Sequence, residues 1–278
     1  MQAETAEKYA VLQDHLRKLG SVAVAFSGGV DSTLLLKVAV DTLGREKVLA
    51  VTGRSPSMPS ADLNAVAALA TEVGVPHEFL DTCEFEDENY LANPADRCYF
   101  CKSELYTRLT ALAAERGLNA VLSGANADDF GDYRPGLKAT GEQHVHTPLA
   151  DCGITKAELR EIAAELGLSI SDKPASPCLS SRVPYGERIT PEKLQQIDAA
   201  ETFLRELGFP ECRVRHHDTL ARIEVPPAQI ARFADPQFRA SVDARLRELG
   251  FQYVALDLRG FRSGSLNEVL PEETRRLT

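Results

Sequence analysis

Apolar positions along the chain fall into short blocks of two spacings. In residues 4–19, Tyr9, Leu12, Leu16 and Leu19 share one stripe, the spacing of an amphipathic helix, and Gly20 ends it. Residues 22–26 then run apolar without interruption, as in a strand buried on both faces. The same two patterns recur. Helices are predicted over 33–43, 60–73 (capped by Ser60), 103–116 (closed by Gly117) and 155–166, where Thr155 and Glu158 form a capping box. Strands are predicted over 48–51, 77–80 and 120–123.

Alternating strand and helix argues for an α/β fold, a doubly wound and mostly parallel sheet over residues 1–170. Residues 171–190 break the pattern with Pro174, Pro177 and Pro184 among several serines, and read as a connecting or active-site loop. From 191 the pattern restarts: helix 191–207, strands 212–217 and 221–225, helix 236–249, strand 252–258. That is a second, smaller α+β domain over 191–278. In doubly wound sheets ligands bind at the carboxyl ends of the strands. Three glycine-bearing loops, 27–32, 52–59 and 123–136, follow predicted strands and direct attention to one shared site.

Composition narrows the functions. The chain has 278 residues, 44% hydrophobic and 26% charged, ordinary for a globular protein. No stretch approaches the roughly 20 apolar residues of a membrane span, and no signal peptide pattern opens the chain, so a cytoplasmic location is expected. The 31 Lys and Arg against 41 Asp and Glu leave a net charge of −10. A protein that grips a polyphosphate backbone usually carries a basic surface, so long nucleic acid is not the expected partner. Six cysteines are too few for a disulfide scaffold; in a reducing compartment they are free, metal-bound or catalytic.

Ser27-Gly28-Gly29-Val30-Asp31-Ser32 lies between a buried strand and a helix. Its glycines permit a tight turn that presents amide groups to an anion, and the helix adds its positive end. Ser27 and Ser32 supply hydroxyls. Asp31 would repel a bare phosphate, which a bridging Mg²⁺ explains. No Gly-Lys-Ser/Thr follows, so this is not a Walker loop; the plain alternative is an ordinary glycine turn. The hexapeptide resembles the pyrophosphate loop of the N-type ATP pyrophosphatases, which cleave ATP to AMP and pyrophosphate, usually by adenylating a substrate oxygen.

Cys98-Tyr99-Phe100-Cys101 stands just before a predicted helix, and Cys178 lies in the proline-rich loop; Cys83, Cys152 and Cys212 are isolated. The C-x-x-C admits four readings: half a structural zinc site, though no second pair exists; a redox pair, though the flanking pattern differs; two unconnected core thiols; or, with Cys178, a three-thiolate iron–sulfur site with one open iron. Arg182 and Lys173 near Cys178 would favour its thiolate.

These segments together resemble the LarE family, the ATP-dependent sulfur transferases of nickel-pincer nucleotide biosynthesis. The matching pieces are 27–33, Arg97-Cys98-Tyr99-Phe100-Cys101-Lys102, Gly124-Ala125-Asn126-Ala127-Asp128-Asp129, Asp132-Tyr133-Arg134-Pro135-Gly136 and 174–182, which extend across nearly the whole chain. The resemblance implies a small-molecule substrate, pyridinium-3,5-biscarboxylic acid mononucleotide. ATP adenylates its carboxylate, and sulfur then displaces AMP to give a thiocarboxylate. Some members sacrifice the sulfur of the cysteine matching Cys178. Others hold a [4Fe–4S] cluster on three cysteines, which Cys98, Cys101 and Cys178 match, so the cluster-dependent form is expected. The family forms homo-oligomers; the sequence does not name the sulfur donor.

Other candidates surround this core. Asn126, Asp128 and Asp129 are placed to hold Mg²⁺ or contact the nucleotide, or simply to cap. Gly53, Arg54 and Ser55 follow the second strand, where related enzymes place adenine and ribose. Arg134 could meet a phosphate or carboxylate. Arg213 and Arg215 alternate on one strand and point to one face, where Glu201 and Glu224 could join them. Arg182, Arg259 and Arg262 complete the substrate-side set. His216 and His217, adjacent on a strand, point apart and do not suggest a shared metal. Three competing functions are a tRNA thiolation enzyme, an ammonia-using synthetase and a nucleotide sensor. The −10 charge and six cysteines count against the first, which would need a basic groove and often zinc-binding cysteines.

Overall fold

Strand and helix alternate from the N-terminus in the order the apolar blocks predict. The computed structural model describes residues 1–131, 134–171, 176–262 and 264–271. The first unit runs α1 (Ala3–Leu19), β1 (Val22–Ala25), α2 (Val30–Leu43), β2 (Val48–Arg54), α3 (Ser60–Val73), β3 (His77–Asp81), α4 (Glu88–Leu91), α5 (Arg97–Glu115), β4 (Ala120–Leu122), α6 (Gly136–Glu142), α7 (Pro148–Asp151) and α8 (Lys156–Glu165). Its strands are parallel, in the order β3-β2-β1-β4. The chain builds outward from β1 through β2 to β3, then returns to place β4 on the other side of β1. The sheet order therefore reverses between β1 and β4, where a doubly wound sheet opens a crevice for a ligand.

Alternation within the strands sorts the core into two layers. Val22, Val24, Val48 and Ala50 face α1, α2, α3 and α8, while Ala23, Leu49, Val51 and Val121 face Tyr106, Leu109 and Ala113 of α5. Leu34, Leu35 and Leu36 are fully buried, each stabilising by roughly 1.5–3 kcal/mol.

Helix starts depart from the sequence reading. α2 begins at Val30 rather than 33, and α5 at Arg97 rather than 103, so the C-x-x-C sits in the first turns of α5 instead of ahead of it. In both, the opening turns carry polar and thiol side chains, so the apolar stripe starts later than the helix. Ser60 is the first helical residue, not the cap; Pro59 holds the N-cap position. Arg116 is the C-cap of α5, with Gly117 following at φ +67°. The Thr155–Glu158 capping box forms as expected. α4, α6 and α7 are too short for periodicity to reveal them.

The second unit comprises α9 (Pro191–Glu206), β5 (Arg213–His217), β6 (Leu220–Glu224), α10 (Pro236–Glu248) and β7 (Tyr253–Leu256). β5 and β6 pair antiparallel, and β7 joins β6 in parallel. Its own core gathers Leu204, Phe209, Val214, Ile223, Leu246 and Phe251. A third cluster, Tyr90, Leu91, Leu179, Val183, Ile189, Leu194 and Ile197, joins α4, the Cys178 loop and α9. Among the described residues no helix is long and apolar enough to cross a membrane.

Candidate functional site

The turn between β1 and α2 is shaped by its own residues. Gly28 takes φ +70°, and a Cβ there would lie 2.6 Å from Val66 Cγ1. The Ser27 amide donates to Ser32 Oγ at 3.2 Å, and Thr33 Oγ1 donates to the Gly29 carbonyl at 2.8 Å. No side chain caps α2, so its first-turn amides are left for an anion. Gly124, after β4, packs on the same turn: a Cβ there would meet the Ser32 backbone nitrogen at 2.9 Å. The loops from β1 and β4 thus close on each other at the point where the sheet order reverses.

Asp31 is paired. Lys156 Nζ donates to both its carboxylate oxygens at 2.6 Å, and Asn126 Nδ2 donates to Oδ1 at 3.3 Å. The Lys156 amide donates to Asp128 Oδ2 at 2.8 Å, the Asn126 amide to Asp129 Oδ2 at 3.0 Å, and Arg134 pairs with Asp129 at 3.0 Å. These oxygen donors suit Mg²⁺, and Lys156 already puts a cation against the carboxylate expected to hold it. Sequence reasoning passed over Lys156; the capping box marked its helix, but not its reach. Asp132 and Tyr133 lie outside the described residues.

Gly53 and Arg54 are the last residues of β2 rather than loop residues. The Arg54 Nε donates to Asp81 Oδ1 at 2.6 Å, and its guanidinium lies over the Phe79 ring. Beyond them the loop turns through Ser55 and Ser57, and the Ser57 carbonyl accepts the Leu179 amide at 2.7 Å. That bond carries the Cys178 loop to the carboxyl end of the parallel sheet.

The three thiols share one neighbourhood. Burial pushes the Cys101 thiol up, and the charges of Glu84, Cys178 and Cys98 push it further. Burial works against the Arg97 charge, yet Cys178 and Cys98 hold its pKa above the usual range. Cys98 is exposed, Cys101 and Cys178 half-buried, and all three are free. Among the described residues, however, no group of three Cys, His, Asp or Glu side chains is gathered closely enough to hold a metal ion. Cys212 is a structural thiol, fully buried and pushed up to about 12 by that burial. Burial also raises Cys83 and Cys152.

Buried arginines fix the Cys178 loop, whose short 3-10 turn spans Leu179–Arg182. Arg182, 1% exposed, grips Glu201 with Nε at 2.9 Å and Nη2 at 3.0 Å, and its Nη1 donates to the carbonyls of Pro177 and Cys178. Arg182 therefore spends its hydrogen bonds on a carboxylate and on backbone, while the charge of Cys178, near which the sequence reading put it, also acts on it. Lys173, the other cation assigned there, lies outside the described residues, with 172–175. Arg215 grips Glu224 at 3.0 and 2.9 Å and donates to the Ser181 carbonyl at 2.7 Å. Arg97 donates to the Ser180 carbonyl at 2.9 Å. Burial raises the Glu201 carboxyl, but Arg182, Arg213 and Arg205 offset that and hold it below the ordinary range. Glu201 and Glu224 thus neutralise arginines inside the protein. Arg213 lies under the Phe261 ring, and Arg262 pairs with Asp257 and Glu268, which also pairs with Arg259. His216 bonds Gln196 at 2.9 Å.

Sequence reasoning quoted Arg97 in a motif without giving it work, and missed Tyr90 and Glu84. Tyr90, 1% exposed, has its hydroxyl 2.6 Å from Ser180 Oγ. Glu84, 2% exposed, has one carboxylate oxygen without a hydrogen-bond partner. A polar residue buried by distant segments leaves no periodic mark in the sequence.

Comparison with known proteins gives a consistent picture. The family model described as asparagine synthase matches residues 9–219. An uncharacterized protein of Synechocystis sp. is 49% identical over 93% of this chain and 96% of its own length. The pyridinium-3,5-bisthiocarboxylic acid mononucleotide synthase of Lactiplantibacillus plantarum is 43% identical over 96% of both chains. A tRNA-specific 2-thiouridylase of Rhodopseudomonas palustris is 27% identical over 90% of this chain and 74% of its own.

Proposed function

The chain belongs to the asparagine synthase family and, within it, to the LarE family of the Lactiplantibacillus enzyme, and from that premise we propose that it is an ATP-dependent sulfur transferase. Its substrate is pyridinium-3,5-biscarboxylic acid mononucleotide, one carboxylate of which becomes a thiocarboxylate. The observation that carries this reading is the Leu179–Ser57 bond, which ties the Cys178 loop, with Cys98 and Cys101 beside it, to the strand ends that carry the phosphate turn. Among sulfur transferases of this superfamily, the −10 charge favours a small substrate over tRNA.

The chemistry divides between two regions. The turn from Ser27 to Ser32, with the free amides of α2, receives the ATP phosphates, and Asp31 with Asp128 and Asp129 would hold Mg²⁺, which neutralises the leaving pyrophosphate. The substrate carboxylate attacks the α-phosphorus, forming an acyl-adenylate as pyrophosphate departs. Half-buried Arg213 and Arg262, with Arg134, are the substrate-side arginines. Arg182, Arg215, Glu201 and Glu224 hold the Cys178 loop in place. Sulfur then attacks the activated carbonyl and AMP leaves.

Cys98, Cys101 and Cys178, three free thiols of one neighbourhood, would hold a [4Fe–4S] cluster, which would present incoming sulfide as a reactive nucleophile. The enzyme works in the cytoplasm as a homo-oligomer, without nucleic acid or membrane partners. The test is anaerobic incubation with ATP, Mg²⁺, the biscarboxylic acid mononucleotide and sulfide. Mass spectrometry should find thiocarboxylate and AMP over many turnovers, with Cys178 unchanged and about four irons per chain. One turnover with Cys178 left as dehydroalanine would assign the sulfur to that side chain instead. No AMP formation with this substrate would overturn the reading.

A further inference from the structure

Arg97, Arg182 and Arg215 are the buried arginines among the described residues, at 3%, 1% and 6% exposure. Arg182 and Arg215 each hold a buried glutamate through two guanidinium nitrogens. Arg97 has no carboxylate within ion-pairing distance among the described residues. Its Nη1 donates to Asn93 Oδ1 at 2.6 Å and to the Ser180 carbonyl at 2.9 Å, both neutral. Its Nη2 points at Cys98 Sγ, 4.0 Å away. A buried charge is stable only when paired or well bonded, and half of this guanidinium fork faces sulfur. Glu84, a buried carboxylate of the same region, acts on Cys101. Cys98 itself is exposed, so a small ion reaches this spot from solvent.

We propose that Arg97 makes the space beside Cys98 a binding site for an anionic sulfur ligand, hydrosulfide, and holds that ion for the sulfur-transfer step. This rests on the sulfur-transferase reading. The hydrosulfide sulfur forms the C–S bond as the acyl C–O bond to AMP breaks. The electron pair leaves on the AMP phosphate, and the hydrosulfide proton goes to solvent. No electron acceptor or donor is needed. Hydrogen bonds to Asn93 and Ser180 aim the guanidinium, while its charge, unspent on any glutamate, is left for the ligand.

Paired alkylating reagents test the site without depending on how much of the thiol is ionised. Cys98 is alkylated in the iron-free full chain with anionic iodoacetate and with neutral iodoacetamide, and peptide mapping gives both rates. Their ratio, divided by the ratio for N-acetylcysteine, reports local positive charge alone. The expected ratio in the unaltered protein is about tenfold above the free thiol. It should be kept in Arg97→Lys and lost in Arg97→Met. In turnover, Arg97→Met should raise the KM for sulfide about tenfold, with far less change in the KM for ATP. A Cys98 ratio equal to that of N-acetylcysteine overturns the proposal, and this arm stands even if Arg97→Met fails to fold. An unchanged ratio or an unchanged sulfide KM in a folded Arg97→Met overturns it too. Failure of ATP–pyrophosphate exchange with the mononucleotide would instead strike the functional reading, leaving the alkylation ratio to decide on the anion site.

Discussion

The phosphate turn and the Cys178 loop meet at one end of the parallel sheet but are held by different means. The turn is fixed largely by neighbours in sequence: Ser27, Gly29, Ser32 and Thr33 bond one another, while Val66, Gly124, Asn126 and Lys156 reach it from afar. The Cys178 loop closes a short 3-10 turn on itself but is also held from outside. Its carbonyls are collected by Arg97 from α5, Arg182 within it and Arg215 from β5, and each of the latter two is neutralised by a buried glutamate of the second unit. A phosphate site must be ready for a ligand that arrives and leaves with each turnover, and local bonds suffice. A sulfur site must hold a reactive atom against an activated carbonyl, so its geometry is imposed by both units at once.

The comparison breaks most visibly at Cys178. Cys178→Ala should cut thiocarboxylate formation by about 10³-fold while ATP–pyrophosphate exchange with the substrate persists, measured side by side. Loss of both in equal measure would mean that the two regions do not divide the chemistry.

The buried pair comes next. Glu201→Gln leaves Arg182 charged and buried, and should lower unfolding free energy by about 3–5 kcal/mol in a denaturant titration. Replacing both partners, Arg182→Met with Glu201→Leu, should recover much of this. The pH dependence has a definite sign. The Glu201 carboxyl is held below its unfolded value, so its contribution is complete above about pH 4.3 and is lost as pH falls through the lower folded pKa. Glu201→Gln should therefore flatten the acid limb of stability and leave the slope near pH 7 unchanged.

How much was legible in the sequence follows the same division. Ser27 to Ser32, the strand–helix alternation and the Thr155 box are contiguous signals: the turn lies between β1 and α2 and the box forms as expected, while the alternation holds with α2 and α5 starting earlier than their apolar stripes. Cys98, Cys101 and Cys178 were singled out by residue type; Cys178 and Cys98 act on Cys101, while the described residues show no metal-ready group. Glu201 and Glu224 read as members of a substrate-side face with Arg213 and Arg215, and both are fully buried against arginines. Nothing in local spacing marks a glutamate whose partner lies on another element. Lys156 and Arg97 escaped for the same reason.

Gly124→Ala probes where the second strand end presses on the phosphate turn. Its Cβ would meet the Ser32 backbone nitrogen at 2.9 Å, and a backbone atom cannot step aside as a flexible side chain can. The expected cost is about 1–3 kcal/mol of stability. The displaced α2 amides should weaken ATP binding about tenfold by calorimetry, with alkylation of Cys98 unaltered.

The smallest effect sharpens the comparison most, because it touches the turn without touching its geometry. Thr155 caps α8 by accepting the Glu158 amide at 3.4 Å, while Glu158 accepts the Thr155 amide at 2.8 Å and Lys8 at 2.6 Å. Thr155→Ala removes that long bond and the 2.8 Å bond that the Thr155 hydroxyl donates to Glu158, and leaves the two that Glu158 accepts from the Thr155 amide and Lys8, so the loss should be typical of a cap, about 1 kcal/mol by denaturant titration. Lys156, the next residue, is also anchored through its amide to Asp128, independently of Thr155. The KM for ATP should then change by less than about twofold, since the Lys156–Asp31 pair is part-exposed and worth little by itself. A large rise in that KM would mean that the start of α8, and not the turn's own bonds, sets the phosphate site.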